Sequence, residues 1–87
     1  FDPDEERAQR LCDKLQVYGS GRARVVTVVE EAVAAADGVI NATPIGMAEH
    51  PGTPISVELL TSEKWVADVV YFPLQTELLT KAAAMGC

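Results

Sequence analysis

Two short apolar runs of the sequence each break into polar, glycine or proline residues, in the way that buried strands end. The first run leads into Asn41-Ala42-Thr43-Pro44-Ile45-Gly46-Met47, and the second begins at Trp65 and continues to Thr76. The carboxyl ends of neighbouring parallel strands lie at the same edge of a sheet, and ligands of open α/β sheets bind there. We therefore expect a ligand site built from the groups that follow these two runs.

Asn41 and Thr43 are the first polar side chains at this edge. Pro44 biases Thr43 toward extended backbone geometry, which presents the Thr43 backbone and hydroxyl at the edge of the sheet. Asn and Thr also form ordinary turns that satisfy their own backbone. At the end of the second run, Val69 and Tyr71 alternate onto one side of the strand, although Tyr71 is equally compatible with a core tyrosine whose hydroxyl is hydrated.

The elements that position these residues alternate between helix and strand. Asp2-Pro3-Asp4-Glu5 is typical of a helix start, and the apolar residues of the next turns recur with helical spacing. Gly19-Ser20-Gly21 is predicted to turn the chain, and the loop from Thr43 to Pro54 is predicted to hold no regular structure. The predicted helices are Pro3–Gln16, Glu30–Ala36, a short one through Leu60 that Ser56 caps, and Gln75–Met85; the predicted strands are Arg24–Val29, Gly38–Ala42 and Trp65–Val70.

This order predicts an α/β fold with a doubly wound parallel sheet, because strands covered on both faces are apolar nearly throughout. We interpret residues 1–87 as one partial dinucleotide-binding domain of Rossmann type. Such a domain begins with a strand and a Gly-x-Gly-x-x-Gly turn about 20 residues before an acidic residue. Because Asp2 would be that residue, we expect the first strand and its glycine-rich turn to lie outside this sequence.

Asp2 has two interpretations. A carboxylate at the end of the second strand of such a domain accepts hydrogen bonds from the adenine-side ribose hydroxyls of NAD, and it would repel the 2′-phosphate of NADP. Asp2 is also compatible with a plain helix N-cap. Arg7 lies on the first turns of the following helix, where a solvated arginine is the ordinary interpretation.

Asp68 is a carboxylate inside an apolar strand, where an unpaired charge would cost several kcal/mol. We therefore expect it to have hydrogen-bond partners or to lie at an exposed edge, and we favour a structural role in which it is bonded to backbone groups. His50, the only histidine, lies in the Pro/Gly-rich loop and is interpreted as a solvated loop residue.

The composition excludes several classes of partner. A net charge of −6 with seven basic residues argues against nucleic acid. No run approaches the ~20 apolar residues of a membrane span, and the N-terminal residues lack the basic and apolar segments of a signal peptide. Cys12 and Cys87 have no metal-ligand spacing, so we predict a buried free thiol at Cys12, no metal site and a cytoplasmic location. Phe1 in place of an initiating Met indicates a fragment.

The two strand-end segments together resemble the shikimate/quinate dehydrogenase family. The most specific parts are Asn-Ala-Thr-Pro-x-Gly-Met from Asn41 and Trp-Val-x-Asp-Val-Val-Tyr-x-Pro-x-x-Thr-x-Leu-Leu from Trp65, and the likeness extends from Asp2 to the last residue. The resemblance implies an oxidoreductase that transfers a hydride between NAD(P) and the C3 position of shikimate or quinate. It also implies that these small acids are the partners of the intact protein.

The resemblance also implies roles for individual residues. The segment from Asp2 to Ala8 is similar to the Asp-x-Asp-x-x-Arg-Ala of the NAD-preferring branch, whereas NADP-preferring members tend to carry Asn-Arg-Thr or Ser there. It therefore implies NAD as the preferred cofactor, with NADP less favoured. The implied cofactor-binding residues are Asp2 on the ribose, Arg7 along the adenosine, Asn41 and Thr43 under the nicotinamide ribose, and Val69 against the nicotinamide; Tyr71 is implied to reach the acid substrate.

The sequence departs from the family in what it lacks. The catalytic Lys and Asp of the family belong to an N-terminal substrate domain, and Lys14, Lys64 and Lys81 fit none of the family patterns. No catalytic residue is therefore assigned, and we expect the 87 residues to be inactive by themselves. Two alternatives are a non-catalytic α/β interaction module or pseudoenzyme, and a relative of the folate or glutamyl-tRNA reductases.

Overall fold

A computed structural model describes residues 1–18 and 23–87, so the predicted turn at Gly19-Ser20-Gly21 lies outside the described residues. The helices and strands follow the predicted order with one exception. They are α1 (Glu5–Val17), α2 (Val29–Ala35), β1 (Gly38–Asn41), a single 3₁₀ turn (Val57–Leu59), β2 (Trp65–Asp68) and α3 (Glu77–Ala84).

Strands β1 and β2 pair in parallel, which confirms an α/β fold with parallel strands. The register joins Gly38 to Trp65 at one end and Asn41 to Asp68 at the other. One further hydrogen bond continues the pairing past the strand ends, because the Val69 N–H donates to the Asn41 carbonyl at 3.0 Å. The segments that follow β1 and β2 therefore leave the sheet side by side, as the sequence predicts.

The predicted strand at Arg24–Val29 is wrong. Within the described residues the sheet holds β1 and β2 alone, and no strand is assigned to residues 23–28. A strand is stabilised by a hydrogen-bonded neighbour, so β-branched residues do not form one without it. Val29 instead begins α2, with Glu30 and Glu31 in the first turn, where acidic side chains favour a helix.

Helix α1 begins later than predicted because Asp4, not Asp2, is its N-cap. The Asp4 carboxylate accepts from the backbone N–H groups of Glu6 and Arg7 at 3.1 and 3.2 Å. The predicted apolar face is only partly covered. Cys12 is a buried free thiol, as predicted. Leu11 is 58% exposed, because its side of α1 borders an open groove rather than a packed element.

The core lies where α3 and the 3₁₀ turn meet the sheet. Leu60, Leu78 and Ala82 are buried together, with Val39 and Val66 of the two strands packed against them. On α3, Leu78 and Ala82 are buried and Leu79 is half-buried. Ala83 is exposed, because it lies on the next face of the helix turn. Gly86, with φ of 87°, follows the last turn of α3 and ends the helix.

The side chain of Lys64 connects the end of α2 to the start of β2. Lys64 Nζ donates to the carbonyl oxygens of Ala36 at 2.6 Å and Ala34 at 3.3 Å, so it covers the C-terminal end of α2 just before β2 begins.

Ser56 precedes the 3₁₀ turn but its side chain makes no capping hydrogen bond, so the predicted cap is wrong. In the described ranges, no helix has the length and apolar character needed to cross a membrane.

Candidate functional site

Asn41 is a buried hydrogen-bonding centre at the end of β1. Its side chain is 3% exposed. The amide nitrogen donates to the Ile45 carbonyl at 2.9 Å and to Asp68 Oδ1 at 3.1 Å, and the amide oxygen accepts from the Thr43 N–H at 3.0 Å. The Thr43 hydroxyl also donates to the Asn41 amide oxygen, at 2.6 Å. Because an amide side chain offers two donors and two acceptor sites, Asn41 is fully used within the chain and acts by shaping the turn.

Asp68 has the partners that the sequence predicts for a carboxylate in an apolar strand. Besides the bond from Asn41, its Oδ1 accepts from the Val70 N–H at 2.9 Å. Its Oδ2 accepts from the Thr76 hydroxyl at 2.9 Å. Hydrogen bonds to a charged acceptor are stronger than neutral ones, so Asp68 ties the ends of β1 and β2 to the start of α3.

Thr76 completes this arrangement from the other side of the loop. It is fully buried and is the N-cap of α3, accepting from the Leu79 N–H at 3.2 Å. A threonine hydroxyl can donate one hydrogen bond and accept others, so Thr76 caps the helix and bonds Asp68 at the same time. We call Asn41, Thr43, Asp68 and Thr76 the strand-end network.

The turn after β1 is held in a tight form by its own polar groups. The Thr43 hydroxyl accepts from the Ile45 N–H at 3.1 Å while it donates to Asn41. Gly46 is buried with φ of 111°, a conformation that residues with a Cβ rarely adopt. Its N–H donates to the His50 carbonyl at 2.6 Å, so exposed His50 contributes its backbone to this loop.

An apolar cavity of about 420 Å³ opens beside this turn, and we call it the strand-end cavity. It brings together three of the predicted site residues, Thr43, Val69 and Tyr71. Val69 is 60% and Tyr71 is 80% exposed, so the interpretation of Tyr71 as a core tyrosine is wrong. The remaining lining residues are Met47, Val70 and Phe72.

A second groove of about 670 Å³ runs between α1 and the start of the turn after β1, and we call it the α1 groove. Asp2 and Arg7 line one end of it, and Ala42 and Thr43 line another part. Thr43 therefore borders both the α1 groove and the strand-end cavity. Asn41 lines neither of them, but it borders a smaller apolar groove along the open edge of β1.

Asp2 uses one carboxylate oxygen for the chain and presents the other to Arg7. Its Oδ1 accepts from the Asp4 N–H at 2.8 Å, which closes the turn before α1. Its Oδ2 lies 3.9 Å from Nη1 of Arg7, whose side chain is 69% exposed. The interpretation of Asp2 as the helix cap is therefore wrong, because Asp4 makes the capping bonds.

The chain is similar in sequence to known dehydrogenases. No protein-family model matches the chain. The NAD(+)-dependent quinate/shikimate dehydrogenase of Corynebacterium glutamicum (strain R) is 52% identical over 90 residues, which cover 99% of this chain and 31% of that protein. The NADP(+)-dependent shikimate dehydrogenase of Pseudarthrobacter chlorophenolicus is 43% identical over 89 residues, covering 99% and 30%.

A solved structure agrees with the sequences. Quinate dehydrogenase from Corynebacterium glutamicum in complex with NAD superposes with a TM-score of 0.85 at 52% identity, covering 97% of this chain and 31% of that one. The chain is homologous to one part of the quinate/shikimate dehydrogenases. It spans about a third of the length of the dehydrogenases that it matches. The resemblance seen in the strand-end segments is thereby confirmed.

The strand-end network contains one relation that the sequence pattern does not predict. Thr76 is both the hydrogen-bond donor to Asp68 and the cap of α3. A signal was present, since a buried carboxylate needs donors and a threonine stands directly before the last helical pattern. Among the described residues, no cluster of three or more His, Cys, Asp or Glu side chains has the arrangement of a metal site.

Proposed function

We propose that residues 1–87 are part of the dinucleotide-binding domain of an NAD-dependent quinate/shikimate dehydrogenase. The intact parent would transfer a hydride between NAD and the C3 position of quinate or shikimate, with NADP as the poorer cofactor. The observation that carries the proposal is the pair of cavities that meet at Thr43, in a chain 52% identical to an NAD-bound quinate dehydrogenase. A cytoplasmic location is part of the proposal, because a buried free thiol such as Cys12 suits a reducing compartment.

The α1 groove fits the adenosine half of a dinucleotide. Asp2 Oδ2 is free of backbone bonds that the structure records and stands beside the Arg7 guanidinium, so it is available to accept hydrogen bonds from ribose hydroxyls. Arg7 is exposed at the same end of the groove, where its planar guanidinium can lie along an adenine ring. The negative charge of Asp2 disfavours a 2′-phosphate at this place.

The strand-end cavity fits the nicotinamide half. Val69 supplies an exposed apolar side chain for the ring, and Thr43, whose side chain is fixed by Asn41, supplies the wall toward the ribose. When bound, the nicotinamide supplies the carbon that accepts or gives the hydride. Tyr71 lies at the same cavity and is 80% exposed, so we assign its hydroxyl to the acid substrate as a hydrogen-bond donor.

Steady-state kinetics of the full-length parent protein test this proposal. Quinate and shikimate are assayed separately with NAD and with NADP, and turnover of at least one acid with a higher kcat/KM for NAD is expected. Absence of turnover with either acid would favour the pseudoenzyme alternative. Better use of NADP than NAD would contradict the role of Asp2 while leaving the reaction itself in place.

A further inference from the structure

Asp68 is a half-buried carboxylate to which the proposed function gives no task. We infer that Asp68 is a positioning residue for hydride transfer, which holds the walls of the strand-end cavity at a fixed spacing through its bonds to Asn41 and Val70, while Thr76 holds the carboxylate itself in place. This inference rests on the proposed function, because the cavity matters to the reaction only if nicotinamide binds there. Asp68 does not line the cavity itself, so its effect must pass through the residues that it holds.

Asp68 is connected by hydrogen bonds to both walls of the strand-end cavity. Its Oδ1 accepts from the Val70 N–H at 2.9 Å, which fixes the backbone between Val69 and Tyr71. The same oxygen accepts from Asn41 at 3.1 Å, and Asn41 holds Thr43 through bonds of 3.0 and 2.6 Å. One carboxylate oxygen therefore sets the position of Val69 and Tyr71 relative to Thr43.

The bonds of Asp68 favour a carboxylate at this position over an amide. Both oxygens of Asp68 accept hydrogen bonds, whereas an asparagine has a single acceptor oxygen. If the amide oxygen of Asn replaced Oδ1, its NH₂ group would donate to the Thr76 hydroxyl oxygen, which also accepts from Leu79. The proton of that hydroxyl would then lose its acceptor. In the opposite orientation, the NH₂ group would meet the donors of Asn41 and Val70. In both orientations the network loses the negative charge that strengthens its bonds, with little change in volume.

The two halves of the proposed cofactor site depend on different residues. Asp2 and Arg7 belong to the α1 groove, and neither is bonded to Asp68 in the part of the chain that the structure describes. Loss of the Asp68 bonds should therefore loosen the strand-end cavity, including Thr43, while the part of the α1 groove at Asp2 and Arg7 keeps its form. A purely structural role would instead weaken both halves together as the domain loses stability.

The test uses the full-length parent with Asp68→Asn, Thr76→Val and Thr76→Ser. We expect kcat to fall roughly ten- to hundredfold in Asp68→Asn, because small misplacements of reacting groups carry costs of that size. The primary deuterium isotope effect with C3-deuterated acid should rise, since hydride transfer becomes slower than the other steps. The dissociation constant of ADP-ribose, which probes the α1 groove without a nicotinamide ring, should stay at the wild-type value.

The Thr76 variants test the same inference through the other oxygen. Thr76→Val removes the donor to Asp68 Oδ2 together with the acceptor that caps α3, and it should lower kcat in the same direction. Thr76→Ser keeps the hydroxyl for both bonds and should retain most of the activity. Thr76→Val also decides the question if Asp68→Asn does not fold. Asp13→Asn is the matched control, because Asp13 accepts a 2.9 Å bond from Gln9 on the exposed side of α1.

The possible results distinguish failure of the Asp68 inference from failure of the proposed function. Unchanged kcat and isotope effect in Asp68→Asn would overturn the inference, and so would ADP-ribose affinity that falls in step with kcat. A wild-type parent that turns over neither acid would instead refute the proposed function, before any variant is considered. Wild-type activity together with loss of kcat alone in Asp68→Asn supports both.

Discussion

Asp2 shows how one side chain can serve the backbone and a ligand at once. Its Oδ1 closes the turn before α1, and its Oδ2 lies at the α1 groove 3.9 Å from Arg7. The sequence left two interpretations of Asp2 open, and the structure excludes one of them because Asp4 makes the capping bonds. The proposed ribose contact is then the role that explains why a carboxylate stands at the mouth of this groove.

Replacing Asp2 with Asn in the full-length parent tests that role. Asn keeps the shape and the acceptor for the Asp4 N–H, but it lacks the charge that strengthens a ribose bond. We expect KM for NAD to rise roughly ten- to hundredfold, the equivalent of about 1.5–3 kcal/mol, and the preference over NADP to shrink. The measurement is kcat/KM for both cofactors, with Asp13→Asn as the control. An unchanged ratio would return Asp2 to a local turn role.

At the scale of residues, the sequence predicts that a buried polar group requires hydrogen-bond partners, but it does not identify those partners. Asp68 stands in an apolar strand, so the cost of an unpaired buried charge predicts that donors exist. The identity of one donor, Thr76, depends on how the chain folds back over the intervening loop, which no local pattern encodes. Asn41 was predicted as a site residue on its position, and the structure shows that its side chain is fully bonded within the chain.

At the scale of elements, the two observed strands and three observed α-helices correspond to predicted ones, and the missing strand has a physical explanation. Helix α1 forms from its own caps and local bonds. The Arg24–Val29 segment has strand composition, but a strand needs a hydrogen-bonded neighbour, and β1 pairs with β2 alone in the described part of the sheet. Local patterns predict helices well and strands only together with their partners.

The pairing of β1 with β2 depends on a contact between Gly38 and Trp65. These residues are in register, and the indole ring of Trp65 occupies the place that a Cβ on Gly38 would take. The ring is 54% exposed, so it can swing away, but it would then uncover the start of β1. Packing therefore favours glycine at position 38, because a larger residue would meet the Trp65 ring.

We expect Gly38→Ala in the full-length parent to lower the free energy of unfolding by about 1–3 kcal/mol, because an added methyl group overpacks this site. The matched variant is Gly38→Ala combined with Trp65→Val, which removes the obstructing ring. Chemical denaturation of the two single variants and the double variant gives the coupling energy. Equal costs of Gly38→Ala with and without the Trp65 ring would refute the contact.

For the whole molecule, the exposed surface is too large for a compact domain of this mass. The accessible surface is 6331 Å² for 9.3 kDa, whereas a compact monomer of that mass exposes roughly 5000 Å². The radius of gyration is 13.6 Å, against about 12 Å expected for 87 residues. Ile40 on β1 is 60% exposed, and it borders both the α1 groove and the groove along the open edge of that strand.

We therefore expect the isolated 87-residue chain to self-associate and to lack a sharp cooperative thermal transition. Unpaired strand edges and contiguous apolar surface both favour association. Sedimentation velocity over a range of concentrations measures the association, and calorimetry measures the transition. Ile40→Lys should reduce association, because a charged side chain on an open edge opposes strand pairing. Val17→Lys, at a site 82% exposed beyond the sheet, is the matched control and should change association less. A monomer with a cooperative transition would show that these grooves close without any partner.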